Sequence, residues 1–574
     1  MTPTPTAPYR HVRPGDFATI SAALDFAAEQ TTGVNIHSLR GELTEVLAYA
    51  DLAAQAKDLA GRLLALGLAS GDRVALAAES DGDFLRTFFA CQYAGLVPAP
   101  VPLPAPFGGK DAYVAHVRRM LISADARAAF APATLSAWFK EAGEGLGLAL
   151  TGALADLPAA RGDALPTPDP DGLCYLQFSS GSTRFPLGVA VTQKALMANV
   201  VAIGRDGLGV RADDRTVSWL PLYHDMGLVG MLLCSLAFQV SIDLLPTGAF
   251  VRRPGLWLDL ISRRGGSISY APTFGYDLAA RRAQTSATAD LDLSTWRIAG
   301  LGGDMIRPEP LRAFADAYAS SGFDPRAYVA SYGMAEATLA LTLSPVGVGL
   351  RTDLTEVDRL ERNAIAGPAA TPNARMREFA LCGAVLAGHR LEVRDEAGAV
   401  LPDRRVGRLF ASGPSLMKSY LGEPQETAKT LSPDGWLDTG DLGYVVDGEI
   451  VITGRAKDLI IVNGRNVWPQ DLEWTAEQGI ESLRSGDVAV FSVDGGEERV
   501  VALVQCRTRD EAARGQLAKD VANLLRVRHG LDVLVTPTPP HSLPQTSSGK
   551  LSRTKAKALY LAGAFDAAQL NVTA

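Results

Sequence analysis

A turn rich in serine and glycine follows an apolar run with the composition of a buried strand. The run is Leu173–Phe178, the turn is Ser179–Thr183, and a helical pattern, Gln193–Val201, comes after them. Backbone N–H groups of such a turn can converge on phosphate oxygens, and the hydroxyl side chains add further donors. The spacing is not that of the GxxxxGK[ST] loop, so the pattern does not favour a kinase or a GTPase. The segment therefore indicates phosphate binding, although ordinary loops share its composition.

Four further clusters place polar side chains where they could act on a nucleotide. His224 and Asp225 lie among aromatic residues, Glu336 follows Tyr332 after a short turn, and Asp441 sits in a tight turn after Trp436. The fourth cluster, Thr546–Lys550, ends in a lysine within a glycine-rich loop. Each cluster has a purely structural interpretation: a satisfied histidine, a helix cap, an Asx-turn or a solvated lysine. All of them together, in this order, favour a single catalytic site.

The N-terminal half alternates helical and strand-like patterns that could position these clusters. Leu52 to Leu66 has apolar residues at helical spacing, and Gly67 follows as a stop signal. Val74–Ala77 predicts a short buried strand, and residues 82–94 predict a helix. Alternation of this kind predicts βαβ units and mostly parallel sheets.

The second half changes character twice. The polar stretch 350–378 has little periodicity, and short strands at 391–393 and 407–411 predict a smaller β-rich region. Beyond residue 458, two apolar runs flank Asp494-Gly495-Gly496 as in a hairpin, and a helix ends at Gly530. We therefore predict an α/β protein with a large N-terminal domain of βαβ-type sheets plus a small β-barrel-like region, residues 1–455. A small α+β C-terminal domain, residues 456–574, follows.

Length and composition exclude several classes of protein. The chain has 574 residues, of which 47% are hydrophobic and 21% charged, so it can bury cores and is not disordered or fibrous. A net charge of −8 does not favour nucleic acid or anionic lipid as partners. The five cysteines are widely spaced without a CxxC pair, so we expect buried free thiols rather than disulfides or a zinc site. The uncharged run Met226–Ile242 is shorter than the roughly 20 residues of a membrane span. We expect a cytoplasmic protein, a monomer or weak dimer.

The ordered clusters resemble those of the adenylate-forming superfamily, which contains acyl-CoA synthetases, luciferases and peptide-synthetase adenylation domains. The resemblance covers about residues 20–560. Its closest likeness is to fatty acyl-AMP ligases, and four segments carry it: Trp219–Gly227 (WLPLYHDMG), Ser269–Phe274, Tyr332–Leu339 (YGMAEATL) and Asn463–Glu473. The stretch 350–378 lies where those ligases carry an insertion that acyl-CoA synthetases lack. The resemblance implies that ATP and Mg²⁺ are used to convert a fatty acid into acyl-AMP.

The resemblance also implies roles for individual residues. Lys550 is expected to be the catalytic cation, His224 lines the acyl carboxylate, and Lys457 is the pivot of a hinge that moves the C-terminal domain. Glu336 and Thr183 are expected to hold Mg²⁺, and Thr183 also counts among the catalytic residues. The expected acyl pocket contains Leu228, Met231 and Phe274. The expected ATP- and AMP-binding residues are Ser179, Ser180, Gly181, Ser182, Thr183, Arg184, Gly303, Asp304, Tyr332, Gly333, Met334, Asp441 and Arg455.

The phosphate loop departs from the superfamily pattern at two positions. Arg184 and Leu187 stand where the superfamily at large has a glycine and a lysine. An arginine at position 184 is similar to the acyl-AMP ligases, but no cation stands at position 187. We hypothesise that Arg184 reaches the same phosphates.

The sequence leaves the acyl acceptor open. The resemblance implies transfer to the phosphopantetheine thiol of a separate acyl carrier protein, and the first alternative is an acyl-CoA synthetase that uses free coenzyme A. The second alternative is a weakly active acyl- or nucleotide-binding protein, suggested by Leu187. Neither the acyl chain length, expected to be medium to long, nor the pathway follows from the residues.

Overall fold

The computed structural model describes residues 13–104, 109–160, 164–179, 186–283, 290–462, 464–494, 498–545 and 551–565. The predicted residues Ser180–Arg184 and Lys550 lie outside these ranges. Among the described residues, no helix combines the length and the apolar character that crossing a lipid bilayer requires.

The N-terminal region alternates helices and strands as predicted. A four-stranded sheet in the order β4-β3-β5-β6 is parallel throughout. Its edge strand β4 contains Pro98 and Pro100, which an edge tolerates because one side of the strand needs no ladder hydrogen bonds. The elements are α1 (Ile20–Ala27), β1 (Gly33–His37), β2 (Leu43–Ala48), α2 (Tyr49–Leu64), β3 (Arg73–Ala77), α3 (Gly82–Tyr93), β4 (Val97–Val101), α4 (Lys110–Ser123), β5 (Ala126–Phe130), α5 (Ala133–Gly143) and β6 (Leu150–Gly152).

The middle of the chain supplies most of the central sheet. Helix α6 begins where the Thr192 hydroxyl accepts a hydrogen bond from the Ala195 amide at 3.1 Å, a typical N-cap. The elements are β7 (Leu173–Phe178), β8 (Gly188–Thr192), α6 (Gln193–Val201), β9 (Arg215–Ser218), α7 (Cys234–Ala237), β10 (Ser241–Leu244), α8 (Thr247–Arg252), α9 (Gly255–Arg264), β11 (Ile268–Ala271), α10 (Thr273–Ala283), β12 (Ile298–Leu301), α11 (Pro308–Tyr318), β13 (Tyr328–Gly333) and β14 (Ala340–Leu343), with π-helical segments at Ala202–Gly207 and Met226–Leu233.

The β-rich region that follows contains more regular structure than its sequence pattern indicates. The stretch 350–378, expected to be irregular, forms an antiparallel pair, β15 with β16, joined by a helix. Local periodicity does not reveal these strands, because they are half-buried against neighbours that are distant in sequence. The elements are β15 (Thr352–Glu356), α12 (Val357–Asn363), β16 (Met376–Ala380), β17 (Ala384–Val385), β18 (Arg390–Arg394), β19 (Gly407–Ser412), β20 (Ser419–Tyr420), α13 (Pro424–Thr430), β21 (Leu437–Val446) and β22 (Glu449–Arg455).

The strands of these regions combine into three further sheets. Nine described strands form the central sheet in the order β17-β14-β13-β12-β11-β9-β10-β1-β2. Its inner neighbours from β1 to β13 are parallel, and its outer strands β2, β14 and β17 are antiparallel. An antiparallel sheet in the order β18-β19-β21-β22 and a small sheet, β20-β8-β7, flank it. Active sites of parallel sheets lie at the carboxyl ends of the strands. We therefore expect the functional site among the loops that follow β9, β12 and β13.

The C-terminal region has its own sheet with apolar clusters on both faces. The predicted hairpin is confirmed by the antiparallel pairing of β25 with β26, and β27 adds in parallel. Gly530 ends α15 in the left-handed conformation, as its position predicted. The elements are β23 (Ile460–Val462), β24 (Arg465–Val467), α14 (Pro469–Gly479), β25 (Val488–Asp494), β26 (Glu498–Gln505), α15 (Glu511–His529), β27 (Val533–Thr538) and α16 (Arg553–Leu561). The result is a large N-terminal domain of mainly parallel sheets and a small C-terminal domain.

The largest apolar core supports the loops at the carboxyl ends of the central strands. Trp257 stacks edge-on against Trp296 and Tyr276, with ring centroids 5.1 and 5.3 Å apart. These rings pack α9 and α10 against the sheet, and buried aromatic pairs of this kind add to the stability that area burial provides. The five cysteines are buried free thiols, as expected.

Candidate active site

A cavity of about 640 Å³ opens at the carboxyl ends of the central strands and reaches the segment that leads into the C-terminal domain. Its wall combines a polar part and an apolar part, which suits a ligand with both characters. Ten of the residues predicted from the sequence lie in this wall: Ser179, His224, Met231, Gly303, Tyr332, Gly333, Met334, Glu336, Arg455 and Lys457.

One part of the wall contains Tyr332 near the end of β13 and Arg455 at the end of β22, and both side chains contact Asp441 in the middle of β21. The Tyr332 hydroxyl donates to Asp441 Oδ2 at 2.8 Å, and Arg455 Nε lies 3.3 Å from Asp441 Oδ1. Asp441 and Arg455 face each other in the register of β21 with β22. Burial and the adjacent Asp441 carboxylate raise the pKa of Tyr332, so the phenol stays protonated and donates. Asp441 thus lies behind Tyr332 and Arg455, where its charge orients both toward the cavity.

Glu336 occupies a short 3₁₀ turn, Ala335–Ala337, that folds back beside Tyr332. The turn is possible because Gly333 has no side chain: a Cβ there would lie 1.8 Å from the Leu339 carbonyl oxygen. The Glu336 carboxylate is buried, and the Tyr420 hydroxyl donates to its Oε1 at 2.7 Å. Burial raises the pKa of Glu336. The nearby Arg455 acts on this pKa in the opposite direction, and no ion pair to Glu336 occurs among the described residues.

The donor set around Glu336 fits a magnesium ion that arrives with a nucleotide. Among the described residues, no group of three or more histidine, cysteine, aspartate or glutamate side chains could hold a metal. Mg²⁺ commonly binds through one or two carboxylates together with substrate phosphates. A single buried carboxylate in a nucleotide-sized cavity meets that requirement.

The phosphate loop is anchored at both ends by the pairing of β7 with β8. The Ser179 amide donates to the Leu187 carbonyl at 2.9 Å, directly after the pairing of Phe178 with Gly188. Leu187 lies in the cavity wall without contributing a charge. The cationic residues of the described wall are instead Arg408, Lys429, Arg455 and Lys457.

Three of these cations are paired with acids: Arg455 with Asp441, as described above, and Arg408 and Lys429 with other carboxylates. Arg408 Nε contacts Asp438 at 2.7 Å, and Lys429 Nζ contacts Glu426 at 2.5 Å. Sequence analysis missed both residues, because their motifs are ordinary surface charge patterns. Only their location beside the cavity distinguishes them.

Another part of the wall contains His224 and its neighbours. His224 Nδ1 lies 2.7 Å from Asp225 Oδ1, and the same oxygen accepts from the Met226 amide at 2.7 Å. Gln177 Nε2 donates to the Tyr223 carbonyl at 2.6 Å and so fixes the loop that carries His224. The imidazole is therefore oriented by an adjacent carboxylate, as a supporting polar group requires.

Apolar residues also line the cavity. Ile203, Leu208, Met231, Leu339 and Leu343 lie in its wall. Gly230 keeps it open, because a Cβ there would approach Leu339 Cδ2 to 2.9 Å. An apolar lining of this kind suits an alkyl or aryl chain.

Four predicted positions lie outside the described cavity wall, and one of them is Asp441, which lies in the middle of β21 rather than in the predicted tight turn. Leu228 is fully buried in the core, Phe274 packs 6.0 Å edge-on to Trp219, and Asp304 is exposed. Leu228 and Phe274 are therefore not part of the described cavity wall, and their assignment to an acyl pocket stays a prediction. Residues 226–233 are π-helical, which changes the face each residue presents, and the sequence pattern gave no sign of it.

The segment entering the C-terminal domain is held by charge pairs on its far side. Asp458 Oδ2 accepts from Arg553 Nη1 at 3.0 Å, and Glu473 binds the same guanidinium at 2.6 Å and 2.7 Å. Burial and the nearby Arg455 lower the pKa of Lys457. Lys457 therefore lies in the cavity wall, while its neighbour Asp458 is tied to the start of α16.

The stretch 350–378 contacts the C-terminal domain through arginine–carboxylate pairs. Glu361 of α12 accepts from Arg465 at 2.6 Å, and Arg377 of β16 lies 2.8 Å from Asp471 of α14. The Arg377 guanidinium also lies over the rings of Phe379 and Trp468, at 4.1 and 5.3 Å. Paired and stacked charges of this kind fix the orientation of two packed units more than a single surface contact does.

Comparison with known proteins assigns the family. A family model described as "AMP-binding enzyme" matches residues 27–421. A Caulobacter vibrioides protein (strain NA1000 / CB15N) named "Putative acyl-CoA synthetase" is 59% identical over 98% of both chains. The medium-chain-fatty-acid–[acyl-carrier-protein] ligase JamA of Moorena producens (strain JHB) is 32% identical over 84% of this chain and 85% of its own.

A solved structure extends the likeness to three dimensions. A chain from work on fatty acyl-adenylate ligases from E. coli and L. pneumophila has a TM-score of 0.92 and is 42% identical, covering 96% of this chain and 99% of that one. The protein therefore belongs to the AMP-binding family of adenylate-forming enzymes.

Proposed function

We propose that the chain activates a medium- to long-chain fatty acid with ATP, forming acyl-AMP and pyrophosphate. One observation carries the proposal: a single cavity is lined both by polar residues, among them Tyr332, Glu336 and Arg455, and by apolar side chains such as those of Met231 and Leu343. A nucleotide on the polar side and an acyl chain on the apolar side would meet between them. JamA and the solved acyl-adenylate ligase support a fatty acid as the substrate.

In the proposed first step, a carboxylate oxygen of the fatty acid attacks the α-phosphorus, and the bond to pyrophosphate breaks. Negative charge on the phosphate oxygens is met by the amides and hydroxyls of residues 179–183 and by Arg184. Lys550 neutralises the charge shared by the attacking carboxylate and the α-phosphate. Mg²⁺, held by Glu336 and Thr183, would supply further charge neutralisation when bound. His224, oriented by Asp225, lies beside the acyl carboxylate.

The nucleoside is proposed to lie against the Tyr332 wall. The ring of Tyr332 offers an aromatic face for adenine, with Gly303, Gly333 and Met334 in the adjacent wall. Arg455, held by Asp441, can donate to ribose or phosphate oxygens. We propose that Asp304, which is exposed in this structure, lies along the edge of the adenine when the nucleotide is bound.

In the proposed second step, the acyl group passes to the phosphopantetheine thiol of a separate holo acyl carrier protein. The activity in JamA's name supports this acceptor. We also propose domains at 1–455 and 456–574, with Lys457 as the pivot between the steps. The contacts of residues 350–378 with the C-terminal domain support the ligase subgroup. The name of the Caulobacter relative favours a second candidate, transfer to free coenzyme A.

Two assays test the proposal. Fatty-acid-dependent release of pyrophosphate should be found in the parent chain and should fall at least 100-fold in Lys550→Ala, with nucleotide binding retained. An active Lys550→Ala variant would contradict the assigned chemistry. Incubation with ATP, fatty acid and either coenzyme A or holo carrier protein then identifies the acceptor, and efficient acyl-CoA formation would exclude the carrier protein as the preferred one.

A further inference from the structure

The segment Ser415–Leu421, here called the strap, connects the phosphate loop to the turn that carries Glu336. On one side it joins β8, the strand that leaves the phosphate loop. The Lys418 amide donates to the Ala190 carbonyl at 2.9 Å, and the Leu421 amide donates to the Gly188 carbonyl at 2.8 Å. The strap is therefore fixed to the exit of the phosphate loop by strand pairing.

On its other side the strap holds the Glu336 turn. The Met417 amide donates to the Glu336 carbonyl at 2.8 Å, and the Thr338 hydroxyl donates to the Ser415 carbonyl at 2.7 Å. Thr338 has a φ of +67°, which is rare for a β-branched residue and persists only when its surroundings fix it. The turn thus depends on the strap for its conformation.

The strap also contributes the one side chain that reaches the Glu336 carboxylate among the described hydrogen bonds. Tyr420 is buried, and its hydroxyl donates to Glu336 Oε1 at 2.7 Å. A phenol is a neutral donor, so it orients the carboxylate without cancelling its charge. A lysine or arginine in its place would neutralise the charge that a divalent cation needs.

We propose that Tyr420 is a positioning residue that fixes the Glu336 carboxylate for the divalent cation accompanying ATP. This inference rests on the proposed adenylation function. Partners that orient a metal-binding group commonly change metal affinity 10- to 100-fold when they are removed. Through the strap, the same contact keeps the carboxylate in register with the phosphate loop, which should bind the phosphates carrying that cation.

The test uses the full chain, Mn²⁺ and the ATP analogue with a methylene bridge between the α- and β-phosphates, which cannot be cleaved at that position. In Tyr420→Phe, electron paramagnetic resonance should show Mn²⁺ binding to the enzyme–analogue complex weakened about 10- to 100-fold. The affinity for the analogue in EDTA should not change. Tyr444→Phe is the matched control, because the buried Tyr444 hydroxyl donates to Asp353 at 2.7 Å and Tyr444 is not part of the described cavity wall.

A double-mutant cycle separates positioning from general structural damage. In a Glu336→Gln background, Tyr420→Phe should have no further effect on Mn²⁺ binding, because the group through which it acts is already changed. Three outcomes would overturn the proposal. Tyr420→Phe could weaken Mn²⁺ binding equally in both backgrounds, it could weaken binding of the ATP analogue in EDTA by the same factor, or it could leave Mn²⁺ binding unchanged. The measurement requires no fatty acid, so absence of acyl-AMP formation would refute the proposed function and leave this result standing. A parent chain that binds no nucleotide overturns both.

Discussion

Replacing Arg553 with methionine removes the cation that ties the segment Ala456–Asp458 to the core of the C-terminal domain. The guanidinium makes three contacts, to Glu473 at 2.6 and 2.7 Å and to Asp458 at 3.0 Å. The side chain of Glu473 is 5% exposed and that of Asp458 is 13% exposed, so both carboxylates would be left largely buried without this partner. Methionine keeps most of the apolar volume, so the lost charge dominates the effect.

The expected loss of stability follows from the burial of the ion pairs that Arg553 forms. Removing one partner of a buried ion pair costs about 3–5 kcal/mol. Because the Arg553 side chain is 21% exposed, we expect the lower end, about 3 kcal/mol. That loss corresponds to a decrease of roughly 100-fold in the protection of amides that exchange through unfolding of the C-terminal domain.

Hydrogen exchange at the Val490 amide is the sharpest assay, because this N–H donates to Glu473 Oε1 at 2.9 Å within the central part of β25. Arg526→Met is the control, since Arg526 is exposed near the end of α15 and contacts only Asn523 among its described side-chain partners. Val490 protection in the control should match the parent chain. If the protection of the Val490 amide falls less than about threefold in Arg553→Met, this cation does not hold the segment Ala456–Asp458 to the domain core.

Two further predictions concern the acyl end and pH. Leu343→Ala removes three carbons from the apolar wall, so the preferred fatty acid should lengthen by about two to three methylenes, each worth about 0.8 kcal/mol, in a chain-length series of kcat/KM. Burial, and then Glu473, raise the pKa of Glu477 to about 8. A carboxyl with a raised pKa in the folded state contributes stability at low pH that is lost as the pH rises through 8. Glu477→Gln should therefore raise the urea midpoint of unfolding at pH 9 and leave it nearly unchanged at pH 5.

A specific result would contradict each of these two predictions. An unchanged chain-length profile in Leu343→Ala would show that this residue does not close the acyl end, and Val251→Ala on the exposed surface of α8 is its control. If the urea midpoints of Glu477→Gln and the parent chain differ equally at pH 5 and pH 9, the carboxyl does not titrate in this range on folding.

Local sequence patterns predicted much of the framework correctly. The strand Leu173–Phe178 and the helix Gln193–Val201 occur with the predicted bounds, because a continuous apolar run and an N-cap threonine are signals contained within a few residues. The hairpin at β25 and β26 and the glycine that ends α15 were predicted for the same reason. Ten proposed site residues lie in one cavity wall, because their motifs follow the ends of successive strands.

Other features required tertiary structure. No local signal shows which residues of the π-helical segment 226–233 face the cavity, and the structure places Met231 in the cavity wall but not Leu228. Tyr420 was not recognised, because its meaning depends on pairing with β8, more than 200 residues earlier in the chain. The ordered structure of residues 350–378 depends on partners such as Arg465 and Asp471 in the C-terminal domain.

The sequence by itself determined the family, many of the element types and the chemistry of the motifs, because these are properties of residue type and short-range spacing. The tertiary structure decided which face each residue presents, which charges are paired and which remain available. Those properties depend on burial and on contacts between distant segments. Short-range patterns place Asp441 in a turn, whereas the fold places it in β21 in contact with Tyr332 and Arg455.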